Sequence, residues 1–300
     1  MPRTPHGRAG SKSPGKDRDP RQKPSARERI AAERAAIRRA EARRRLRRRL
    51  LLPIVSVAAV AAITAALVVV KVTSAQQANG ESMAPAAVVR QITTVPTAVL
   101  ARVSGGPLAA GLQEVRTPGR PLVIGGKPAI VFVSEESCPF CAAERWPLAV
   151  ALSHFGTWSH LGATRSSATD IYPSTATLSF RTARYQSATL SLRTTELADS
   201  LGRPLQAQTP LDTRLVSTFD VPPYVNSADQ SGAVPFLDIA NRYILAGAQY
   251  SPQVLAGLST SQIARQLSNP SSPVARAIDG SARLIIAAIN QVLHGQTAGR

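Results

Sequence analysis

Residues 129–155 read AIVFVSEESCPFCAAERWPLAVALSHF and contain both cysteines of the 300-residue chain, Cys138 and Cys141. The run 129–133 is short, apolar and β-favouring, which predicts a strand. Residues 142–155 place apolar side chains among helix formers and predict an amphipathic helix. The stretch therefore predicts a strand, a tight turn and a helix that opens with C-x-x-C.

This arrangement is typical of thioredoxin-type redox motifs, and its geometry explains the chemistry. Cys138 would lie at the helix N-terminus, where free N–H groups and the helix dipole favour the thiolate and lower the pKa. Cys141, one turn later, would stay protonated and shielded, and it could resolve a mixed disulfide. Pro139 suits the first helical turn, and Pro147 is expected to kink the helix.

Two other interpretations of the cysteines stay open at this point. Cys138, Cys141, His154 and His160 form C-x2-C-x12-H-x5-H, a zinc-finger spacing. A zinc finger needs a hairpin around its cysteines, whereas here both cysteines open the helix, so we expect no metal and no cofactor. The other interpretation is a purely structural disulfide.

Charge is concentrated at the start of the chain. The net charge is +18, and residues 1–49 hold eighteen Lys and Arg against five Asp and Glu. Residues 1–24 have almost nothing to bury and predict disorder. Ser25 and Glu28 form a capping box that predicts a helix to residue 50. Residues 1–49 are therefore a basic, partly disordered arm.

An uncharged apolar run follows the arm at residues 50–70 and is closed by Lys71. Its length predicts a transmembrane helix over 50–71. The six arginines within 43–49 place the N-terminus in the cytoplasm and the rest of the chain outside the cell membrane. A cleavable signal peptide is the alternative, and SAQQA at 74–78 keeps cleavage open.

We expect the arm to bind anionic membrane lipids, because arginines next to a membrane attract the head groups of such lipids. Nucleic acid is the minor alternative. The arm has no interleaved aromatic residues for base stacking and no DNA-binding motif, so we expect no nucleic-acid partner.

The remaining chain predicts a linker at 72–93 and one folded domain at 94–297. Within the domain, 156–226 contains Ser- and Thr-rich stretches and predicts an insertion. Two alternating runs in it, 175–181 and 188–193, predict exposed strands.

Several local elements are predicted outside the insertion. A short helix is expected at 95–103, and strands at 121–124 and 129–133 flank a Gly-Gly-Lys-Pro turn. Two helices are expected at 261–267 and 273–294.

Residues 233–250 predict a hairpin with its turn at Ala240 and Asn241. Pro235 opens the first strand, beside the C-x-x-C helix in the expected fold, and we predict a cis Val234–Pro235 bond. An ordinary trans proline at a strand start is the alternative.

The chain resembles the bacterial, membrane-anchored, thioredoxin-like family catalogued as domain of unknown function 929. The matching stretches cover most of 95–291: GKPAIVFVSEESCPFCAAERWPLAVALSHFGTWSHL, ATLSFRTARYQSATLSL and VPFLDIANRYILAGAQYSPQVLAGLSTSQIARQLSNPSSPVARAI. CPFCAAERW and GAQYSP are specific signatures.

The resemblance implies an α/β, thioredoxin-like fold with Cys138 and Cys141 as the catalytic redox pair. It implies substrate contacts at Val234 and Pro235, a dipeptide similar to that of periplasmic disulfide oxidases, and at Pro139 and Phe140 between the cysteines.

This sequence departs from those oxidases because Pro139 and Phe140 include no histidine. It also lacks the buried acid of thioredoxin, since Phe132 stands six residues before Cys138. Both departures leave the direction of electron flow open.

The expected function is thiol–disulfide exchange on thiols or disulfides of exported proteins in the cell envelope, with a membrane or envelope redox partner. Disulfides persist in that compartment. A non-enzymatic envelope scaffold with a structural disulfide is the alternative, and reactivity separates the two because only a catalytic Cys138 needs a lowered pKa and exposure.

The charge asymmetry makes a testable prediction about topology. A reporter enzyme fused after Arg300 should be active only outside the cytoplasm, because the arginines hold the N-terminus inside. Reporter activity in the cytoplasm would contradict both the orientation and the argument from the redox compartment.

Overall fold

The structure, a computed structural model, describes residues 63–66, 82–103, 111–116, 119–226 and 230–297. The chain divides into two units, Met1–Val70 and Lys71–Arg300. In the first unit residues 63–66 are helical, and the predicted arm lies outside the described residues, as does most of the apolar run. No helix in the part of the chain that the structure describes is long and apolar enough to cross a bilayer.

The second unit is a mixed α/β fold. Its helices are α1 (Ala86–Thr93), α2 (Thr97–Arg102), α3 (Pro139–Ser153), α4 (Pro210–Phe219), α5 (Thr260–Gln266) and α6 (Pro273–Thr297). A 3-10 turn spans Pro252–Leu255. Its strands are β1 (Ser82–Met83), β2 (Gln113–Glu114), β3 (Val123–Ile124), β4 (Lys127–Ser134), β5 (Thr157–Ser159), β6 (Gly162–Arg165), β7 (Ala176–Ser179), β8 (Arg184–Gln186), β9 (Ser191–Glu196), β10 (Phe236–Ile239) and β11 (Tyr243–Ala246).

Strand β4 is the centre of the main sheet. It pairs antiparallel with β10, which continues to β11 and β2. On its other side β4 pairs with β9 in parallel and, at its start, with β3. The other strands form two smaller sheets, one of three strands in the order β1–β6–β7 and one of two strands, β5–β8.

Both predicted turns lie between paired strands, but Lys127 and Pro128, which were expected in the first turn, belong to β4. Gly125 and Gly126 join β3 to β4 with φ of +59° and +78°. Ala240 and Asn241 join β10 to β11 with φ of +56° and +55°. Two successive residues with positive φ match the right-handed twist of the strands they connect. The predicted helices at 95–103, 261–267 and 273–294 correspond to α2, α5 and α6.

Strand β4 contributes to two apolar cores, one on each face of the sheet. Ile130 and Phe132 belong to the larger core, with residues of α3 and α6. Val131 and Val133 belong to the smaller core, with Leu215 of α4. The alternation follows from the two-residue period of a strand, and helices on both faces explain why β4 is apolar from Pro128 to Val133.

The prediction of an amphipathic helix after the cysteines is wrong. Every residue of α3 from Cys141 to Leu152 is buried. The helix packs against α6, α1 and β7, so no face is left for water. Glu144 and Arg145, which suggest a polar face in the sequence, lie inside the protein.

Helix α3 is continuous through Pro147. A proline has no N–H to donate to the carbonyl four residues earlier, which here belongs to Ala143. The Tyr250 hydroxyl donates to that carbonyl at 2.7 Å. Tyr250 therefore replaces the hydrogen bond that the proline removes.

The predicted insertion at 156–226 is also wrong. Strand β9 lies within it and pairs with β4 over six residues, Ser191 to Glu196, so the segment supplies a strand of the main sheet. Strand β7 is fully buried, where an exposed strand was expected. Helix α4 lies in the same segment, with a capping box between Thr209 and Asp212.

The folded unit also begins earlier than predicted. Part of the expected linker at 72–93 forms β1 and α1. Val88 and Ile92 of α1 are buried in the larger core. Their spacing of four residues puts them on one side of a short helix.

Glu144 of α3 and Asp279 of α6 are buried acids near Tyr250. Glu144 Oε2 accepts the Gln249 N–H at 3.0 Å. Burial raises the pKa of Glu144 to about 8, against a weaker opposing effect of that N–H. Burial also raises the pKa of Asp279 to about 8. Burial raises the pKa of Tyr250 too, and the fields of Glu144 and Asp279 add to it.

The replacement of a helix hydrogen bond by Tyr250 can be tested with a double-mutant cycle. Tyr250→Phe should lower the free energy of unfolding by about 1–3 kcal/mol, because it leaves the buried Ala143 carbonyl without a donor. In a Pro147→Ala background the helix supplies its own N–H, so Tyr250→Phe should cost clearly less. Urea denaturation of the four proteins measures the coupling. Equal costs in both backgrounds would contradict the pairing.

The buried acids predict an unusual pH dependence of stability. For Glu144 and Asp279 the pKa rises from 4.5 and 3.8 to about 8 on folding. Between those values the unfolded chain has lost protons that the folded protein keeps, so the free energy of unfolding should fall as pH rises from about 5 to 8. Each group can contribute up to about 1.4 kcal/mol per pH unit. Asp279→Asn should flatten this slope in urea titrations, whereas Asp170→Asn in an exposed loop should not. A slope unchanged by Asp279→Asn would refute the assignment.

Candidate functional site

Cys138 is the N-cap of α3. Its Sγ accepts the Cys141 N–H at 3.2 Å, and its carbonyl accepts the Ala142 N–H at 3.0 Å. Pro139 occupies the first helical turn, as predicted. Cys138 remains partly exposed. The sulfur therefore sits among the free N–H groups at the start of the helix.

The pKa of the Cys138 thiol is lowered. The largest cause is a hydrogen bond from the Cys141 thiol, which burial opposes. The N–H groups of Cys141 and Phe140 and the positive charge of Arg145 lower the pKa further. The direction agrees with the sequence-based prediction.

Cys141 is completely buried one turn inside the helix. Its pKa is raised well above the usual value, first by burial and then by its hydrogen bond and repulsion with Cys138. Two weaker effects lower the pKa of Cys141. One is the charge of Arg145, and the other is the Glu135 N–H, which donates to Cys141 Sγ at 3.5 Å. The two thiols thus differ in both exposure and acidity.

Val234 and Pro235 lie beside the exposed thiol. Cys138 Sγ donates to the Val234 carbonyl at 3.6 Å. The Val234–Pro235 bond is cis, which confirms the prediction. Pro235 is buried and leads directly into β10, whereas Val234 is partly exposed. The structure therefore brings the predicted residues from two distant segments together.

Phe140 forms one wall of the surroundings of Cys138. It is partly exposed and makes an edge-to-face contact with Tyr172, with ring centroids 5.8 Å apart. The loop that carries Tyr172 is also held near the cysteines by a hydrogen bond from the Ser167 N–H to the Ser137 carbonyl, 2.9 Å.

Phe140 also lines a cleft of about 780 Å³. Its lining includes Phe140, Val234, Tyr224, Gly247 and Asp220. Burial raises the pKa of Asp220 to about 6, partly offset by the Gly232 N–H. Cys138 is not among the residues that line the cleft, but its neighbours Phe140 and Val234 are.

Sequence reasoning missed a buried polar cluster behind the cysteines. Arg145, one turn after Cys141, donates to both carboxylate oxygens of Glu196, at 2.9 and 2.6 Å. It also donates to Ser134 Oγ at 3.4 Å. The available signal was a charged pair, Glu144 and Arg145, inside an otherwise apolar helix.

The structure does not bring the zinc-finger residues together. Cys138 precedes the 15-residue helix α3 and His154 follows it. At 1.5 Å per residue the helix separates them by roughly 22 Å. His160 follows at the end of β5 and is exposed. In the described ranges, no three His, Cys, Asp or Glu residues are grouped to hold a metal ion.

Comparison with known protein families identifies a match. The model of a family described as a domain of unknown function, DUF929, matches residues 113–291, which include both cysteines and Pro235. No curated protein and no solved structure matches the chain. The family model covers more than half of the sequence, and the chain belongs to the DUF929 family.

Proposed function

We propose that this chain is a membrane-anchored protein of thioredoxin-like fold that carries out thiol–disulfide exchange on exported proteins. Its anchor would be residues 50–71, with the folded unit on the envelope side. The apolar run and the arginines before it support the anchor and its orientation.

The order of elements around the cysteines supports the fold. Strand β4, helix α3 and strand β9 form a βαβ unit with parallel strands. A C-x-x-C at the start of the helix in such a unit is a thioredoxin-like motif. The β10–β11 hairpin and α6 complete the unit, with Pro235 opening β10 next to the redox pair.

The observation that most directly supports the exchange function is the position of Cys138 Sγ. It lies 3.2 Å from the Cys141 backbone nitrogen and 3.6 Å from the Val234 carbonyl oxygen. A partly exposed sulfur with a lowered pKa is a nucleophile near neutral pH. The Val234 carbonyl is a backbone acceptor beside that nucleophile, and it can hold the backbone of a substrate chain in the cleft.

The exchange balances as two thiol–disulfide steps. The Cys138 thiolate attacks one sulfur of a substrate disulfide; the substrate S–S bond breaks, a mixed disulfide forms, and the other substrate sulfur leaves as a thiolate. Cys141 then loses its proton and attacks Cys138 Sγ, which forms the Cys138–Cys141 disulfide and releases the second substrate thiolate. Two electrons pass from the cysteine pair to the substrate, and the reverse sequence oxidises a substrate dithiol.

The alternative is an envelope scaffold in which the two cysteines form a structural disulfide. The complete burial of Cys141 fits this alternative too, since a structural disulfide needs no accessible thiol. A staple needs no difference in reactivity between its two sulfurs, whereas the exchange mechanism needs one.

Trapping of mixed disulfides separates the two functions. Cys141→Ser should accumulate reducible adducts with envelope proteins, because the resolving thiol is gone and the Cys138 mixed disulfide persists. Cys138→Ser should accumulate none. Non-reducing gels of membranes from cells expressing the full chain measure both results.

The matched control is the Cys138→Ser/Cys141→Ser protein at equal expression. If the Cys141→Ser lane shows no more reducible adduct than this control, the exchange mechanism is wrong. Similar loss of stability in both single variants, with no adducts in either, would support the scaffold.

A further inference from the structure

Arg145 is a fully buried cation one helical turn from Cys141. Residues four apart in a helix lie on the same side, so Arg145 and Cys141 share a side of α3. The Arg145 side chain has no exposed surface. Burying a guanidinium is expensive unless ion pairs and hydrogen bonds compensate it.

The compensation comes from the ends of two parallel strands. Ser134 is the last residue of β4 and Glu196 the last of β9, and the two are paired in the sheet register. Glu196 binds Arg145 through two hydrogen bonds and Ser134 adds one at 3.4 Å. Among the described residues, Arg145 Nη1 has no hydrogen-bond partner. The guanidinium is thus fixed on one side and retains an unused N–H donor group.

Other charged groups also face this region. Burial alone would lower the pKa of Arg145, but the charge of Glu196 raises it. Glu136, which is buried just after β4, raises it further by a smaller amount. Ser179 of β7 donates to Glu136 at 2.6 Å. The positive charge of Arg145 lowers the pKa of Cys138 and of Cys141. Arg145 is therefore a cation whose field acts on both sulfurs.

The resolving step needs the thiolate form of Cys141. In the mixed disulfide Cys138 is blocked, and the buried Cys141 has to lose its proton before it can attack. Position 132, where thioredoxins carry an acid, holds Phe132. The described structure gives Cys141 Sγ the Glu135 N–H at 3.5 Å, but no carboxylate as a hydrogen-bond partner.

We propose that Arg145, held in place by Glu196 and Ser134, is a positioning residue that stabilises the Cys141 thiolate during resolution of the mixed disulfide. The inference rests on the proposed exchange function and names the group that controls its second step. The proton of Cys141 passes to solvent or to the departing thiolate, and Arg145 itself stays protonated throughout.

The experiment uses the full chain in detergent with 5,5′-dithiobis(2-nitrobenzoate) as the disulfide. Cys138 attacks this reagent and releases one coloured thiolate; Cys141 then displaces the second from Cys138, so the second release measures resolution without a natural substrate. Ultraviolet thiolate absorbance in a Cys138→Ser background measures the pKa of Cys141 directly.

Two variants should shift the pKa of Cys141 in opposite directions. Arg145→Met/Glu196→Met removes both charges and keeps similar volume, which buried ion pairs often tolerate. It should raise the pKa of Cys141 by about one unit and slow the second release about tenfold at fixed pH. Glu196→Gln leaves the cation without its counter-charge, so it should lower the pKa of Cys141 and speed the second release.

Arg193→Met is the matched control. Arg193 is on the same strand as Glu196 but pairs with Asp212, at 3.3 Å. It should leave the second release within about twofold of the parent protein. Shifts of the same sign in both test variants, or an unchanged second release in Glu196→Gln, would overturn the proposal even if the doubly substituted protein fails to fold. These readouts need no protein substrate, so they are independent of whether Cys141→Ser traps envelope proteins.

Discussion

Helix α3 has no side that faces water, and this constraint shapes the rest of the fold. Each of its polar groups has to find a partner inside the protein or remain unsatisfied at a cost. The Trp146 indole N–H donates to the Ala176 carbonyl, and the Thr177 hydroxyl donates to the Ala142 carbonyl. Tyr250 satisfies the carbonyl that Pro147 leaves free. Strand β7 and the segment after β11 are therefore tied to α3 by hydrogen bonds as well as by apolar packing.

The same burial explains why two cysteines three residues apart are so different. The N-terminal end of α3 reaches the surface at Cys138, where the chain turns out of β4, and one turn later the helix is fully enclosed. Cys138 keeps access to solvent and to the helix N–H groups, whereas Cys141 loses its solvation. The unequal acidity of the pair is thus a consequence of where the helix enters the core.

Local signals in the sequence predicted the local structure well. The Gly125–Gly126 and Ala240–Asn241 turns and the C-x-x-C helix needed only short-range patterns. The cis Val234–Pro235 bond was predicted from the expected fold, which places Pro235 beside that helix. The run 188–193 was interpreted as an exposed strand of an insertion. The place of β9 in the main sheet was missed, because it depends on a parallel pairing with β4 across about sixty residues. Helix α4 carried a readable signal, the Thr209–Asp212 capping box. The cluster around Arg145 could not be read from spacing, since Ser134, Arg145 and Glu196 meet only once β4 and β9 are paired.

The surroundings of Phe132 in β4 explain why the charged group near the cysteines is Arg145 of α3 and not an acid on the strand. Phe132 lies in the middle of β4, buried in the larger core, and its ring meets Phe180 edge-to-face with centroids 6.0 Å apart. An acid there would be buried among apolar side chains without a donor, which is costly. Polar side chains enter this region where the strands end, at Ser134 and Glu196. A buried anion at Glu196 requires a cation. Arg145 of α3 supplies it through its hydrogen bonds to Glu196 and Ser134, and so the positive charge lies one helical turn from Cys141.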